Sequence, residues 1–131
     1  MIFGIGTDIA KVSRFEKWVN NPDFFLRFFN QQEISEKKSS QALCQHYAAR
    51  FAAKEAFSKA LGTGITAFEL KDVFITNDKN GKPLLHVEGK AKSLLQKKIG
   101  AFTGNSESSY SLHVSLSHEK EYAIAFVIIE V

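Results

Sequence analysis

The chain has few of the features that announce a special compartment or a familiar chemistry. Its single cysteine, Cys44, excludes an internal disulfide and a thiolate zinc site. Cys44 sits in QALCQHYAARFAAKEAF, where a small thiol suits burial, and a reducing cytoplasm is the expected compartment. No stretch reaches the roughly 18 apolar residues of a membrane span. No basic segment precedes the first apolar run, which Gly4, Gly6 and Asp8 interrupt, so no secretory signal is expected. Repeats, low-complexity tracts and Pro/Gly/Ser linkers are lacking, and residues 1–131 are expected to form one domain around one core.

Several catalytic patterns are missing as well. Gly4-x-Gly6 has Ile9 where the dinucleotide fingerprint needs its third glycine. Gly81-Lys82 runs into Pro83 without a matching upstream glycine, so it is no Walker phosphate loop. The four histidines form no HExxH pattern, which disfavours a zinc hydrolase. GNSES at 104–108 ends in Ser108 where a nucleophile elbow requires glycine.

What remains is an ordinary globular composition, 44% hydrophobic and 24% charged. Seventeen Lys and Arg against fourteen Asp and Glu give +3, which permits an anionic partner without requiring nucleic acid. Residues 1–9 read as a strand ending near Asp8, with Gly4 and Gly6 placed for close backbone approach. Ser13 with Glu16 suggests a capping box before RFEKWV. Asn21-Pro22 opens DFFLRFF, and Asn30 with Glu33 forms a third cap-like start. A long helix is expected from Ser40 to Leu61, with Gly62 as its stop; its seven alanines allow neighbouring backbones to come close.

DVFITN and LLHVEG read as strands joined by DKNGKP, and AKSLLQKKI as an amphipathic helix stopped at Gly100, followed by a loop over 101–109. YSLHVSLS alternates, with Ser111, His113, Ser115 and Ser117 on a polar face. The near-continuous apolar run YAIAFVIIEV suits a strand buried on both faces or at a subunit contact. The fold class expected is α+β, a largely antiparallel sheet packed against a long central helix.

Arg50, Lys54, Glu55, Ser58 and Lys59 crowd into ten residues of that helix, amid alanines that imply burial. A surface Glu55–Lys59 pair is the simplest explanation, yet charges on a buried helix need a partner such as a metal or a phosphate. GIGTDI at the start, FAAKEAFSKALGTG in the middle and VSLSHEKEYAIAFV near the end together resemble the holo-[acyl-carrier-protein] synthase family over nearly the whole chain. Lys54, Glu55 and Lys59 match the family pattern without substitution, while Phe51 stands where many relatives carry tryptophan.

The resemblance implies transfer of 4'-phosphopantetheine from coenzyme A to a serine of an apo acyl-carrier protein, releasing adenosine 3',5'-bisphosphate, in support of fatty acid biosynthesis. It implies Asp8 and Glu55 as ligands of Mg²⁺, with catalysis resting on Asp8, Glu55 and Lys59. Coenzyme A would be held by Arg50, Lys59, Asn80, Gly81, Pro83 and His118. Lys54 is left open between a structural pair and a phosphate contact. His46, His86 and His113 match no motif and read as structural or exposed. An acidic carrier protein would dock on Arg14, Trp18, Phe25, Arg27 and Phe28, with Lys11, Lys17 and Phe24 nearby. A single-copy chain of this family implies a homotrimer with sites between neighbours.

The competing class is a basic α+β binding module for RNA or a carrier protein without catalysis. Twelve phenylalanines could stack bases, but those at 24, 25, 28 and 29 have the helical spacing of a core or a protein contact, and the RNA-recognition strand signature is missing. Neither nucleic acid nor membrane is therefore an expected partner.

Overall fold

Among the described residues, antiparallel pairing organises five strands into two sheets around one long helix. In a computed structural model that describes residues 1–37 and 39–131, the Phe24 side chain excepted, the order is β1 (Ile2–Lys11), α1 (Glu16–Val19), α2 (Pro22–Phe25), α3 (Ser40–Leu61), β2 (Val73–Asn77), β3 (Pro83–Val87), α4 (Gly89–Thr103), β4 (Ser111–His118) and β5 (Tyr122–Glu130). Short 3₁₀ turns occupy Val12–Phe15, Gln31–Glu33, Ile65–Ala67 and Leu70–Asp72. The larger sheet runs β1-β5-β4 and the smaller is the β2-β3 hairpin. This is the expected α+β architecture.

α3 begins where Ser39 Oγ accepts the Ala42 N–H at 2.9 Å, and ends at Gly62, whose φ of 79° is left-handed. It packs chiefly on β1 and β5. Closeness to β1 depends on two glycines: a Cβ on Gly4 would lie 1.9 Å from the Ala60 carbonyl oxygen, and one on Gly6 1.7 Å from that of Ala56. The helical alanines at this crossing are therefore Ala56 and Ala60. Their neighbours across the interface, Ala10, Ala123, Ala125, Val127 and Ile129, are all essentially sealed.

β4 alternates as its sequence implies, with serines and His113 exposed and Leu112, Val114 and Leu116 half-buried. The apolar run of β5 has one buried face, Ala123 to Ile129, and one open face. That open face carries Tyr122 and Phe126, 45% and 47% exposed, beside Ile5 and Ile9 of β1 at 60% and 61%. Burial on both faces therefore does not occur within a single chain.

Three local expectations change. Ser13 makes no cap, because residues Val12–Phe15 form a 3₁₀ turn and α1 starts only at Glu16 without a side-chain cap. The Asn30–Glu33 capping box forms, but on a 3₁₀ turn of three residues, and α2 is a single turn. α4 passes through Gly100 and stops at Gly104, φ 76°, so residues 101–103 are helical. Gly100 instead receives the returning chain, since a Cβ there would lie 3.1 Å from Ser106 Cα. Among the described residues no helix is long and apolar enough to cross a membrane.

Candidate active site

β1 and α3 bring Asp8 towards two motif residues, Glu55 and Lys59, that are distant from it in sequence. Gly6, Asp8 and Ala10 share one face of the strand, so the crossing that seats Gly6 on Ala56 carries Asp8 to the flank of α3. There Lys59 Nζ donates to Asp8 Oδ1 at 3.2 Å and to the Thr7 carbonyl at 2.9 Å. The lysine side chain is 53% exposed and the Asp8 side chain 19%. Lys59 thus pairs with Asp8. Burial pushes the Glu55 carboxyl above its usual range, and the charge of Asp8 raises it further against the opposing pull of Lys59 and Arg14. Two carboxylates within each other's electrostatic field offer oxygen donors of the kind a hard cation takes.

A cavity of about 560 Å³ gathers most of the expected coenzyme A contacts: Arg50, Gly81, Pro83 and His118 all line it. His46, Lys37 and Asn77 line it too. Arg50 is nine-tenths buried, donating through Nη2 to Asn77 Oδ1 at 2.8 Å and through Nη1 to the His46 carbonyl at 3.3 Å. Its Nε is buried and has no hydrogen-bond partner among the described residues. A guanidinium with a spare donor, beside Lys37 and two histidines, gives the cavity anion-binding chemistry. His46 is held neutral, its pKa lowered to about 4 by burial first and by Arg50 second. Asn80 shapes the turn through its N–H to Asp78 Oδ1 at 2.8 Å and does not line the cavity.

The two groups of residues lie on opposite flanks of α3. Successive helical residues rotate about 100°, so Arg50 and Glu55 project about 140° apart and Arg50 and Lys59 about 180° apart. Ala56 and Ala60, which rest on β1, occupy the arc between. On the sheet, Asp8, Ala125 and Leu116 share a rung, placing Asp8 two strand spacings, about 9.5 Å, from the cavity-lining Leu116.

The model of a family described as the 4'-phosphopantetheinyl transferase superfamily, ACPS, matches residues 4–127. The chain belongs to this superfamily. It is 48% identical over 131 residues to the holo-[acyl-carrier-protein] synthase of Treponema denticola, covering 99% of each chain. It is 42% identical to that of Clostridium novyi, covering all of this chain and 89% of the relative. Among solved structures, the Bacillus anthracis holo-(acyl-carrier-protein) synthase in complex with CoA (3',5'-ADP) superposes with a TM-score of 0.76 at 34% identity, covering 99% of this chain and 97% of that one. The Helicobacter pylori enzyme in complex with coenzyme A gives 0.70 at 31% identity, over 96% and 99%.

Within this 4'-phosphopantetheinyl transferase fold, Lys54 takes the structural alternative. Its three N–H groups are all used, on Glu33 Oε1 at 2.6 Å, Val73 O at 2.5 Å and Leu70 O at 3.1 Å, with both side chains of the pair fully buried. An ammonium has three donors, so none remains for a phosphate.

Of the expected docking residues, Arg14 and Arg27 are exposed, and their guanidinium groups lie over Phe51 at 5.3 Å and Phe28 at 5.9 Å. Trp18 packs on Phe15, Phe28 and Phe51. Phe25 departs from the expectation. Only 7% exposed, it stacks on Phe29 at 4.7 Å and meets Tyr47 at 4.2 Å, so it is core that floors an apolar groove rather than an exposed anchor. The Phe24 side chain, expected nearby, lies outside the described residues.

Sequence reasoning missed Glu33, Lys37, His46 and Asn77 as cavity residues. A signal existed for His46, which lies one helical turn before Arg50 on the same face. None existed for the cavity roles of Glu33 and Asn77, because the bonds of Glu33 to Lys54 and Ile75 and that of Asn77 to Arg50 join distant segments.

Proposed function

We propose that this chain transfers the 4'-phosphopantetheine arm of coenzyme A to a serine hydroxyl of an apo acyl-carrier protein, releasing adenosine 3',5'-bisphosphate, as a holo-[acyl-carrier-protein] synthase of fatty acid biosynthesis. The observation that carries the reading is the convergence of Asp8, Glu55 and Lys59 at the β1–α3 crossing of a chain that matches such synthases end to end. Coenzyme A in two of the similar structures supports the substrate.

In the reaction, a bond forms between the serine oxygen and the pantetheine-side phosphorus, the bond from that phosphorus to the bridging oxygen of the adenosine 5'-phosphate breaks, and the serine proton is released to water. Lys59 is half-exposed and anchored by Thr7 and Asp8, so its ammonium is a fixed cation for the charge that builds on the leaving phosphate. Arg50, Lys37 and His118 supply the cavity that receives the nucleotide's phosphates, with the Gly81–Pro83 turn at its rim.

Mg²⁺ fits the carboxylate pair. Magnesium is commonly held by one or two carboxylates, completed by water and substrate phosphates, and Asp8 with Glu55 offers such a pair where no group of three or more potential ligands occurs among the described residues. When bound, the ion neutralises charge on the pyrophosphate oxygens.

The finer reading is a cytoplasmic homotrimer with interfacial sites. One flank of α3 carries the carboxylates and Lys59 and the other carries the nucleotide cavity, so a neighbour's flank completes each site. The exposed apolar strip of Ile5, Ile9, Tyr122 and Phe126 supports such an assembly. An acidic carrier protein suits Arg14, Arg27, Trp18 and Phe28, beside the apolar groove floored by Phe25.

Intact-mass measurement of an apo carrier protein incubated with this chain and coenzyme A tests the function. A gain equal to one phosphopantetheine, only with Mg²⁺, is expected. An unchanged mass, with tight RNA binding instead, would select the binding-module class.

A further inference from the structure

The segment that walls the nucleotide cavity is held by one buried carboxylate. Glu33 Oε1 accepts the Asn30 N–H at 3.0 Å and the Lys54 ammonium at 2.6 Å. Its Oε2 accepts the Ile75 N–H at 3.1 Å, and its main-chain carbonyl accepts from His46 Nε2 at 2.7 Å. A carbonyl only accepts, so the His46 proton sits on Nε2. Lys54 spends its two other donors on Leu70 and Val73. One ion pair therefore joins the Asn30–Glu33 turn, α3, the Leu70–Asp72 turn and β2.

All but the Leu70–Asp72 turn contribute to the cavity walls. Gln32, Glu33, Ile34 and Lys37 come from the turn and the segment after it, His46 and Arg50 from α3, and Ile75 and Asn77 from β2. The bonding continues without a break: His46 O accepts Arg50 Nη1, Arg50 Nη2 donates to Asn77 Oδ1, and Asn77 Nδ2 donates to Gly81 O at 3.0 Å. The path from Lys54 thus ends at the turn that rims the cavity.

Stability alone does not account for the pair. Removing two charges from water is costly, and well-packed apolar residues of similar volume are often as stable or more so. An apolar pair lacks direction, whereas Glu33 fixes β2 at Ile75, two residues from Asn77, and the turn at its own carbonyl. We propose that Glu33 and Lys54 are positioning residues for coenzyme A. The buried pair sets the spacing between α3, β2 and the 30–37 segment, and so the geometry in which Arg50 and its neighbours meet the nucleotide. This rests on the reading of the cavity as the coenzyme A site.

Binding of coenzyme A and of adenosine 3',5'-bisphosphate by calorimetry, with thermal melting and transferase kinetics, tests it on the wild type and on the double variant Glu33→Leu with Lys54→Met. The double variant, which leaves the Asn30 and Ile75 N–H groups without their acceptor, is expected to melt lower than wild type but to stay folded at assay temperature, to bind both ligands at least tenfold more weakly and to raise KM for coenzyme A correspondingly. Its kcat at saturating coenzyme A should stay within threefold, because Asp8, Glu55 and Lys59 lie on the other flank of α3. The single variant Lys54→Met, which strands a buried carboxylate, should melt at lower temperature than the double variant. A folded double variant with wild-type affinity overturns the inference, and so does one that fails to fold, since the pair would then be a stability element. Wild type that binds neither ligand overturns the coenzyme A reading itself, and the inference with it.

Discussion

Gly6 and Ala56 meet with no room for one added carbon: a Cβ on Gly6 would fall 1.7 Å from the Ala56 carbonyl oxygen and 2.7 Å from its carbon. Both atoms are helix backbone, which cannot rotate away as a side chain can. Asp8 is two residues along the same strand face, and Glu55 directly precedes Ala56. Gly6→Ala must therefore push β1 off α3 and part the two carboxylates. The expected cost is about 1–3 kcal/mol of stability, as for an overpacked core. Activity at a temperature where the variant is fully folded should fall more than tenfold. Thermal melting combined with the mass assay checks both, and a folded Gly6→Ala chain with wild-type turnover would show that the crossing does not set the site.

How far the sequence reveals this arrangement depends on the range of each interaction. Gly62, Ser39 and the alternation of β4 act on their own neighbours, so local rules locate α3 and β4 within a residue or two. Gly4 and Gly6 are visible as points of close approach, but their partners Ala56 and Ala60 are not, because seven alanines offer several registers. Glu33 is legible only as a cap for Asn30. Its bond to Lys54 spans 21 residues and that to Ile75 spans 42, and nothing local foretells either. β5 lies between β1 and β4 because the chain's last strand pairs back to its first, an order fixed by tertiary closure. Gly100 and Gly104 are equal as helix stops in sequence, and packing of Ser106 on Gly100 decides between them.

Glu55 gives a pH dependence whose sign follows from its cause. Burial and Asp8 raise its folded pKa above the ordinary value of 4.5, so in that window the native chain holds more protons than the unfolded one. The stability contribution is complete below the unfolded value and is lost as pH rises through the folded one. Metal-free protein should therefore lose stability on going from pH 4.5 towards neutral at this group. Glu55→Gln should remove that loss and melt higher than metal-free wild type at pH 7.5. Added Mg²⁺ should raise the wild-type Tm at pH 7.5 and leave Asp8→Asn and Glu55→Gln unmoved. Differential scanning fluorimetry across pH and Mg²⁺ concentration reads all of these, and an equal Mg²⁺ shift in the variants would place the metal elsewhere.

Arg14 and Arg27 separate docking from catalysis. Arg14 lies within the field of Glu55 and helps to lower its pKa, so reversing its charge disturbs the carboxylates as well as any docking surface. Arg27 is exposed over Phe28 and is not among the groups acting on Glu55, which makes it the cleaner probe. Arg27→Glu should raise KM for the carrier protein about tenfold while leaving the KM for coenzyme A unchanged, and the wild-type reaction should slow with salt because steering is screened over a Debye length of about 10 Å at 0.1 M. Steady-state kinetics with each substrate varied in turn check this. Equal KM values for the carrier would move the docking surface away from Arg27.

The opposite flanks of α3 make a prediction about mixed assemblies. Glu55→Gln damages only the carboxylate flank and Arg50→Ala only the proposed nucleotide cavity, so each homogeneous protein should be inactive or nearly so. If every site takes one flank from each of two neighbours, a site formed by an Arg50→Ala chain giving Glu55 and a Glu55→Gln chain giving Arg50 is intact. Heterologous contacts closed into a ring and mixed at random from equal amounts give about one intact site in four. Co-refolding the two variants at equal concentration should therefore restore about a quarter of wild-type activity. Refolding each alone should restore none, and dilution below the assembly threshold should abolish the recovered activity. A monomer that keeps both flanks at one site predicts no recovery in any mixture, because each chain would carry its own defect. Light scattering on the same samples distinguishes the cases: recovered activity must travel with the assembled species, and full wild-type activity in a monomeric fraction would overturn the shared site.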